Sequence, residues 1–163
     1  MYAVFKMTIE RVRQVYETDH ARLWRSVYGF ARSRYVADES VAEAFAQVLR
    51  RGEEVRDVRG WVWRTAFNIA RGELLAARTQ PGRLNDIAGA AAERVPEGPG
   101  LQALMESLSA LSDDDREILV LCHVGGWNAG DLSPILGDSS GALRVRLHRA
   151  TQRARALLDG EYQ

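Results

Sequence analysis

The chain of 163 residues is long enough for one ordinary domain or two small ones, and too short for a multidomain enzyme. Hydrophobic residues make up 46% and charged residues 27%, a globular balance that excludes disordered and fibrous classes. Its 22 basic and 22 acidic residues cancel, so bulk charge points to no partner.

Cys122 is the sole cysteine, which rules out an internal disulfide and a secreted staple scaffold. It falls on an apolar helix face, where a buried structural thiol is expected. No apolar run approaches the ~18 residues of a membrane span. The opening MYAVFKMTIE lacks a basic stretch followed by an apolar one, which argues against a signal peptide. The expected location is the cytoplasm.

Taken in chain order, the first signal is helical: Val12, Val15 and Tyr16, then Leu23, Val27, Phe30 and Ala31. Asp38 is placed to cap a second helix with an apolar face of Val41, Ala44, Phe45, Val48 and Leu49. A charged loop, Arg50 to Gly60, follows. A third helix is expected from about Gly60-Trp61, turning Ala66, Ile69, Ala70, Leu74 and Ala77 inward. The stretch Thr79–Gly100 holds three of the four prolines and four glycines without sustained periodicity, and reads as a linker. Linkers of that length are uncommon inside one compact domain. The expected organisation is therefore a domain of residues 1–79, a linker of 80–100 and a domain of 101–163.

Beyond the linker, Leu101, Leu104, Met105 and Leu108 form a first stripe. Ser112-Asp113-Asp114-Asp115 is a strong helix start, with a capping serine and acids on the positive dipole end. Ile118, Leu119 and Cys122 make the face that follows, and Gly125-Gly126 breaks it. A short helix includes Leu132, Ile135 and Leu136; Gly137 ends it and Ser139 is placed to cap the last and longest helix. Nothing alternates like a strand. The expected fold class is all-α: two small helical domains on a flexible linker, the C-terminal one a helix-turn-helix.

Charge is distributed unevenly along these elements. Residues 1–78 carry 14 cations against 10 acids, residues 101–138 one against seven, and residues 139–158 five arginines and no acid. Of the 22 cations only Lys6 is a lysine; arginines suit bidentate phosphate or carboxylate contacts, and a GC-rich genome is the weightier explanation of the bias. Projected at about 100° per residue, Leu147, Ala150, Ala154, Leu157 and Leu158 fall within about 60° of Leu143. Arg146, Arg149 and Arg153 border that face on one side, Arg144 and Arg155 on the other. The arrangement suits a helix in a major groove, with guanidiniums on phosphates and guanine edges. A solvated helix whose arginines pair with the acids of 106–117 is the competing reading.

The sequence LSDDDREILVLCHVGGWNAGDLSPILGDSSGALRVRLHRATQRARALL resembles region 4 of the sigma-70 family, in the compact extracytoplasmic-function (ECF) group. Leu111-Ser112, Arg116-Glu117, Leu136-Gly137, Ser139-x-Gly141 and Arg144-x-Arg146-Leu147-His148-Arg149-Ala150 carry the likeness. The segment from Asp38 to Phe45 is similar to the polymerase-binding helix of region 2, and that from Trp61 to Ala70 to its promoter-melting helix. The resemblance spans nearly the whole chain in the family's order.

The resemblance implies a sigma factor that binds core RNA polymerase through the largest-subunit clamp and the second-largest-subunit flap, and directs it to promoter DNA. It implies that Asp38, Glu39 and Glu43 meet basic clamp residues. Ser139, Gly141, Arg144, Arg146 and Arg149 would read the −35 duplex. Trp63, Arg64, Asn68 and Arg71 would open the −10 element, with the loop Arg50–Arg59 where the family reads an extruded base. Trp61 is expected to be a core anchor and Trp63 to face outward. An anti-sigma protein is the family's usual regulator.

Three departures stand out. Leu75, Ala76 and Ala77 precede a lone Arg78 where a basic cluster is usual, and Phe67 stands where an arginine is common. Gly130-Asp131-Leu132-Ser133-Pro134 replaces the family's Glu-Glu-Ile-Ala-Glu, so the first helix of the helix-turn-helix is expected to start near Asp131 and to be short. Two other readings compete: an autonomous helix-turn-helix regulator acting as a dimer, and a degenerate decoy that binds an anti-sigma factor. Scattered His20, His123 and His148, with no phosphate loop or nucleophile motif, point away from an enzyme, and no cofactor or metal is expected.

Overall fold

The structure, a computed structural model, describes residues 1–80 and 106–161; among these it contains helices and turns and no strand. The chain divides into two compact units, Met1–Ala92 and Glu93–Gln163. The expected linker, Gln80 apart, and Leu101, Leu104 and Met105 of the first C-terminal stripe lie outside the described residues.

The first unit is a three-helix bundle of α1 (Tyr2–Ala31), α2 (Arg34–Arg51) and α3 (Val58–Thr79), with a 3-10 turn at Gly52–Glu54. Its core stacks Leu23, Val27 and Phe30 of α1 on Val36, Ala44 and Val48 of α2 and on Val62, Trp63, Ala66 and Phe67 of α3. The Phe30 and Phe67 rings lie 5.5 Å apart, so the residue standing in place of the family's arginine is a core residue. α1 stops where Arg32 enters the left-handed region, φ 57°, and returns its N–H to the Tyr28 carbonyl.

Two sequence expectations shift here. α2 starts four residues before Asp38: Ser33 is its cap, accepting the Val36 N–H at 3.2 Å, and no acid lies in the first turn. Asp38 sits more than a turn inside and accepts the Trp24 indole N–H at 2.7 Å instead. α3 starts at Val58, capped by Asp57 through the Gly60 N–H at 3.0 Å. Its inward face is rotated toward Trp63 and Phe67; Ile69 and Leu74 are half-buried rather than central.

The rotation of α3 has a polar cause. Asp19 of α1 is 2% exposed and accepts the Trp63 indole N–H at 2.8 Å, Arg59 Nε at 2.7 Å and Arg22 at 3.1 Å. A buried carboxylate without donors would be costly, and these bonds tie α1 to the start of α3.

Among the described residues, the second unit comprises helical residues 106–109, α4 (Asp113–His123), a 3-10 turn (Ala129–Leu132), α5 (Ser133–Leu136) and α6 (Ser140–Glu161). Ser112 caps α4 through the Asp115 N–H at 3.2 Å, and Ser139 caps α6 through the Ala142 N–H at 3.2 Å, both as the sequence predicts. Gly137 ends α5 with φ 82°. Pro134 lies in the first turn of α5, where its missing N–H has no partner to lose. The helical path therefore begins as 3-10 at Ala129, and α geometry is confined to four residues. Ile118, Leu121, Leu132, Leu143 and Ala150 form the core. Cys122 is half-buried rather than buried as expected, and that partial burial pushes its thiol up to about 11.

Burial works to raise the Asp19 pKa, but hydrogen bonds from Trp63, Arg59 and Thr18 and the Arg59 charge outweigh it and hold it below the ordinary 3.8. Stability from this lowered carboxyl is complete above the unfolded value and is lost as pH falls through the folded one. Acid titration of unfolding should show that loss below about pH 4. Asp19→Ala leaves the indole N–H buried and unsatisfied and should cost about 2 kcal/mol, read by urea denaturation. Asp19→Asn, which keeps an acceptor, should cost less and flatten the acid limb.

Candidate nucleic-acid and polymerase interfaces

Rotating Trp63 inward exchanges the expected roles of the two tryptophans. Trp63 is 0% exposed with its N–H committed to Asp19, so it offers no contact surface; the expectation that it faces DNA is corrected. Trp61, two residues earlier and thus on the opposite side of α3, is half-buried at a groove of about 540 Å³ shared with α2. Gln47, Arg51, Arg64 and Asn68 line the same groove. Arg64 and Asn68 are exposed, and Arg71 donates to the Asn68 side-chain oxygen Oδ1 at 3.2 Å. The result is an aromatic plane with amides and cations beside it, the residue types that hold an unstacked base.

The loop before α3 is bounded by backbone devices. Gly52 turns with φ 61°, and Val55 plugs the core at 5% exposure. Gly60 lets Asp57 reach the helix start: a Cβ there would stand 2.3 Å from an Asp57 carboxylate oxygen. Glu53, Glu54 and Arg56 remain exposed.

The acids of α2 run from Asp38 toward Gln47, which borders the Trp61 groove and bonds Glu43. Asp38 and Glu39 are exposed, and Glu43 is half-buried, bonded at 2.9 Å by both Gln47 and Arg50. Those bonds hold its carboxyl below the usual range. With α2 capped by Ser33, none of the three serves as a helix cap. Beside them the structure reveals a groove of about 520 Å³ that the sequence did not flag, lined by Tyr16, His20, Trp24, Asp38, Ala42 and Phe45. Tyr16 and Phe45 meet edge-on at 5.1 Å, and Trp24 stacks on Tyr28 at 5.3 Å. The signal was present in Tyr16 and Trp24, but helical spacing alone assigned Tyr16 to the core.

In the second unit α6 packs through Leu143 and Ala150, both 0% exposed. Its arginines then divide. Arg146 is drawn to Asp138 at 3.4 Å, to Asp114 at 3.7 Å and to the Asp114 carbonyl at 3.0 Å. Arg153 grips Asp115 through two bonds of 2.5 and 2.8 Å. Its hydrogen bonds hold Asp115 below the ordinary 3.8. Arg149 and Arg155 are exposed and make no ion pair among the described residues. Arg144 is exposed too, and its guanidinium lies over Gly130: a Cβ there would come within 2.6 Å of it. Ser140 Oγ donates to the Gly130 carbonyl at 2.8 Å. The glycine that departs from the family's glutamate thus makes room for an arginine of the last helix. Ser139 and Gly141 are exposed at the entry to α6.

Residues 101–156 match the family Sigma-70, region 4. The RNA polymerase sigma factor CarQ of Myxococcus xanthus is 31% identical over 157 residues, covering 90% of this chain and 90% of that one. The chain belongs to the sigma-70 family, as an ECF-type sigma factor. The ECF RNA polymerase sigma factor SigM of Bacillus subtilis is 23% identical over 158 residues, covering 93% of the chain and 95% of that protein. In fold, the sigma factor resembles RpoE of Bartonella quintana, solved in complex with the anti-sigma factor NepR, with a TM-score of 0.66 and 22% identity. That match covers 90% of this chain and 96% of the other.

The split among the α6 arginines generates a test on the sigma factor. Asp114→Asn and Asp138→Asn together with Asp115→Asn remove the carboxylates that compete with phosphate for Arg146 and Arg153. Duplex DNA of arbitrary sequence should bind more tightly, with a salt dependence steeper by up to roughly 0.9 per added phosphate contact. Fluorescence anisotropy across a salt series measures this; an unchanged slope shows that neither arginine reaches the backbone.

Proposed function

We propose that this ECF sigma factor binds core RNA polymerase and directs promoter-specific initiation, using the first unit at the −10 element and the second at the −35 element. The observation that carries the reading is α6, which seals one face on the helix-turn-helix and turns Arg144, in its capped first turns, and Arg149, further along, to solvent. A helix entering a major groove needs those features: a fixed approach, cations for phosphate, and side chains at base edges.

In this reading Arg144 and Arg149 make the principal −35 contacts. Arg146 reaches DNA only on exchanging its acidic partners, and Ser139 and Gly141 set the backbone's approach. At the −10 element Trp61 takes the stacking role that spacing had assigned to Trp63, with Arg64, Asn68 and Arg71 beside it. Asp38, Glu39 and Glu43, with the aromatic groove next to them, form the surface for the polymerase clamp; the flap would meet the second unit. Residues 80–100 tether two domains, 1–79 and 101–163. An anti-sigma protein is the proposed regulator, supported by the Bartonella complex. The reading gives the chain no catalytic step and a cytoplasmic place beside the polymerase; no described helix is long and apolar enough to cross a membrane.

The test separates the two interfaces. Replacing Arg144, Arg146 and Arg149 with alanine should weaken −35 duplex binding at least tenfold, since each phosphate or base contact contributes on the order of 1 kcal/mol or more. Competition with a labelled housekeeping sigma factor for core polymerase should be unchanged. Retention of −35 binding in the triple variant would assign recognition to another surface.

A further inference from the structure

Arg11 lies on α1, outside every surface named so far, yet it reaches 44 and 45 residues along the chain. Its guanidinium donates to the Val55 carbonyl at 3.1 Å and to the Arg56 carbonyl at 2.5 Å. Both carbonyls belong to the short segment between the 3-10 turn and α3. We propose that Arg11 is a positioning residue for −10 recognition, clamping the α2–α3 loop so that its exposed side chains meet an extruded base in one fixed geometry. The inference rests on the sigma-factor reading and adds to it a residue that touches neither DNA nor polymerase.

The loop is held at successive points. Val55 is anchored in the core, Arg11 holds the carbonyls of Val55 and Arg56, Asp57 caps α3, and Arg59 is bonded to Asp19. Only Glu53, Glu54 and Arg56 are left projecting from it. Carboxylates accept from exocyclic amines and a guanidinium donates to ring and carbonyl acceptors, so these side chains suit base edges. Discrimination by such bonds depends on placing the partner to within about half an ångström, which a loop free to drift cannot do. One terminal nitrogen of Arg11 donates to both carbonyls, and the planar guanidinium fixes the directions of its two N–H bonds, whereas an ammonium turns freely on its stem.

The experiment uses the full chain assembled with core RNA polymerase on a promoter library randomised across both elements, with transcripts sequenced. The wild-type holoenzyme is read first: absence of any −10 or −35 preference overturns the sigma-factor reading itself, whatever Arg11 does. Given that preference, Arg11→Met should reduce base discrimination at one or two −10 positions by roughly five- to tenfold, the effect of losing charged hydrogen bonds. The −35 preference and competition for core polymerase should stay at wild-type values, and Arg11→Lys should fall between. Wild-type −10 preference in Arg11→Met overturns the proposal, as does a parallel loss of −35 preference and core binding. Should Arg11→Met fail to fold, Arg11→Lys carries the test together with amide exchange over residues 52–57. Faster exchange there with unaltered −10 preference overturns the proposal equally.

Discussion

A carboxylate that is almost wholly withdrawn from water must find donors, and in the first unit Asp19 finds them in Trp63, Arg59, Arg22 and Thr18. Two come from α3, so the bond set fixes both the rotation and the height of that helix against α1. Once Trp63 is turned inward to satisfy Asp19, the helical repeat leaves Trp61, Arg64 and Asn68 no choice but the outer side. The outward groove is therefore a consequence of a buried polar contact rather than of any property of the groove residues. Phe67, packed on Phe30, holds the same rotation from the apolar side.

The second unit shows a different economy of charge. Its five arginines over residues 139–158 face a segment rich in acids, and the structure uses both possibilities that sequence reading set against each other. Arg153 and Arg146 join α6 to the start of α4 and to the turn before α6, while Arg149 and Arg155 stay in solvent. One helix is in this way both a structural member and a cationic surface. Pairing fixes the helix in place, and the unpaired positions on its outer side keep their full charge for a ligand.

The parts of the fold legible in the sequence are those decided within a few residues. Ser112, Ser139 and Gly137 act through their own neighbours, so cap and stop signals located both ends of the helix-turn-helix region. The parts that were not legible depend on partners far along the chain. Val36 and Ala37 extend α2 backward because α1 and α3 supply a core for them, and Ser33 then outranks Asp38 as the cap. Trp61 and Trp63 look alike to any periodicity argument; an acceptor 44 residues away from Trp63 decides between them. The aromatic groove of Tyr16, Trp24 and Phe45 needs two helices to exist at all.

The loop ahead of α3 is held through main-chain carbonyls, a glycine and one buried valine, not through the side chains it displays. Every amino acid carries a carbonyl, so exchanging Glu53, Glu54 or Arg56 alters the chemistry shown to a partner without disturbing the support beneath. Such a division separates what must be inherited unchanged from what is free to diverge. In the proposed −10 reading, duplicated copies of this chain would diverge in what they recognise through these three positions while folding in the same way.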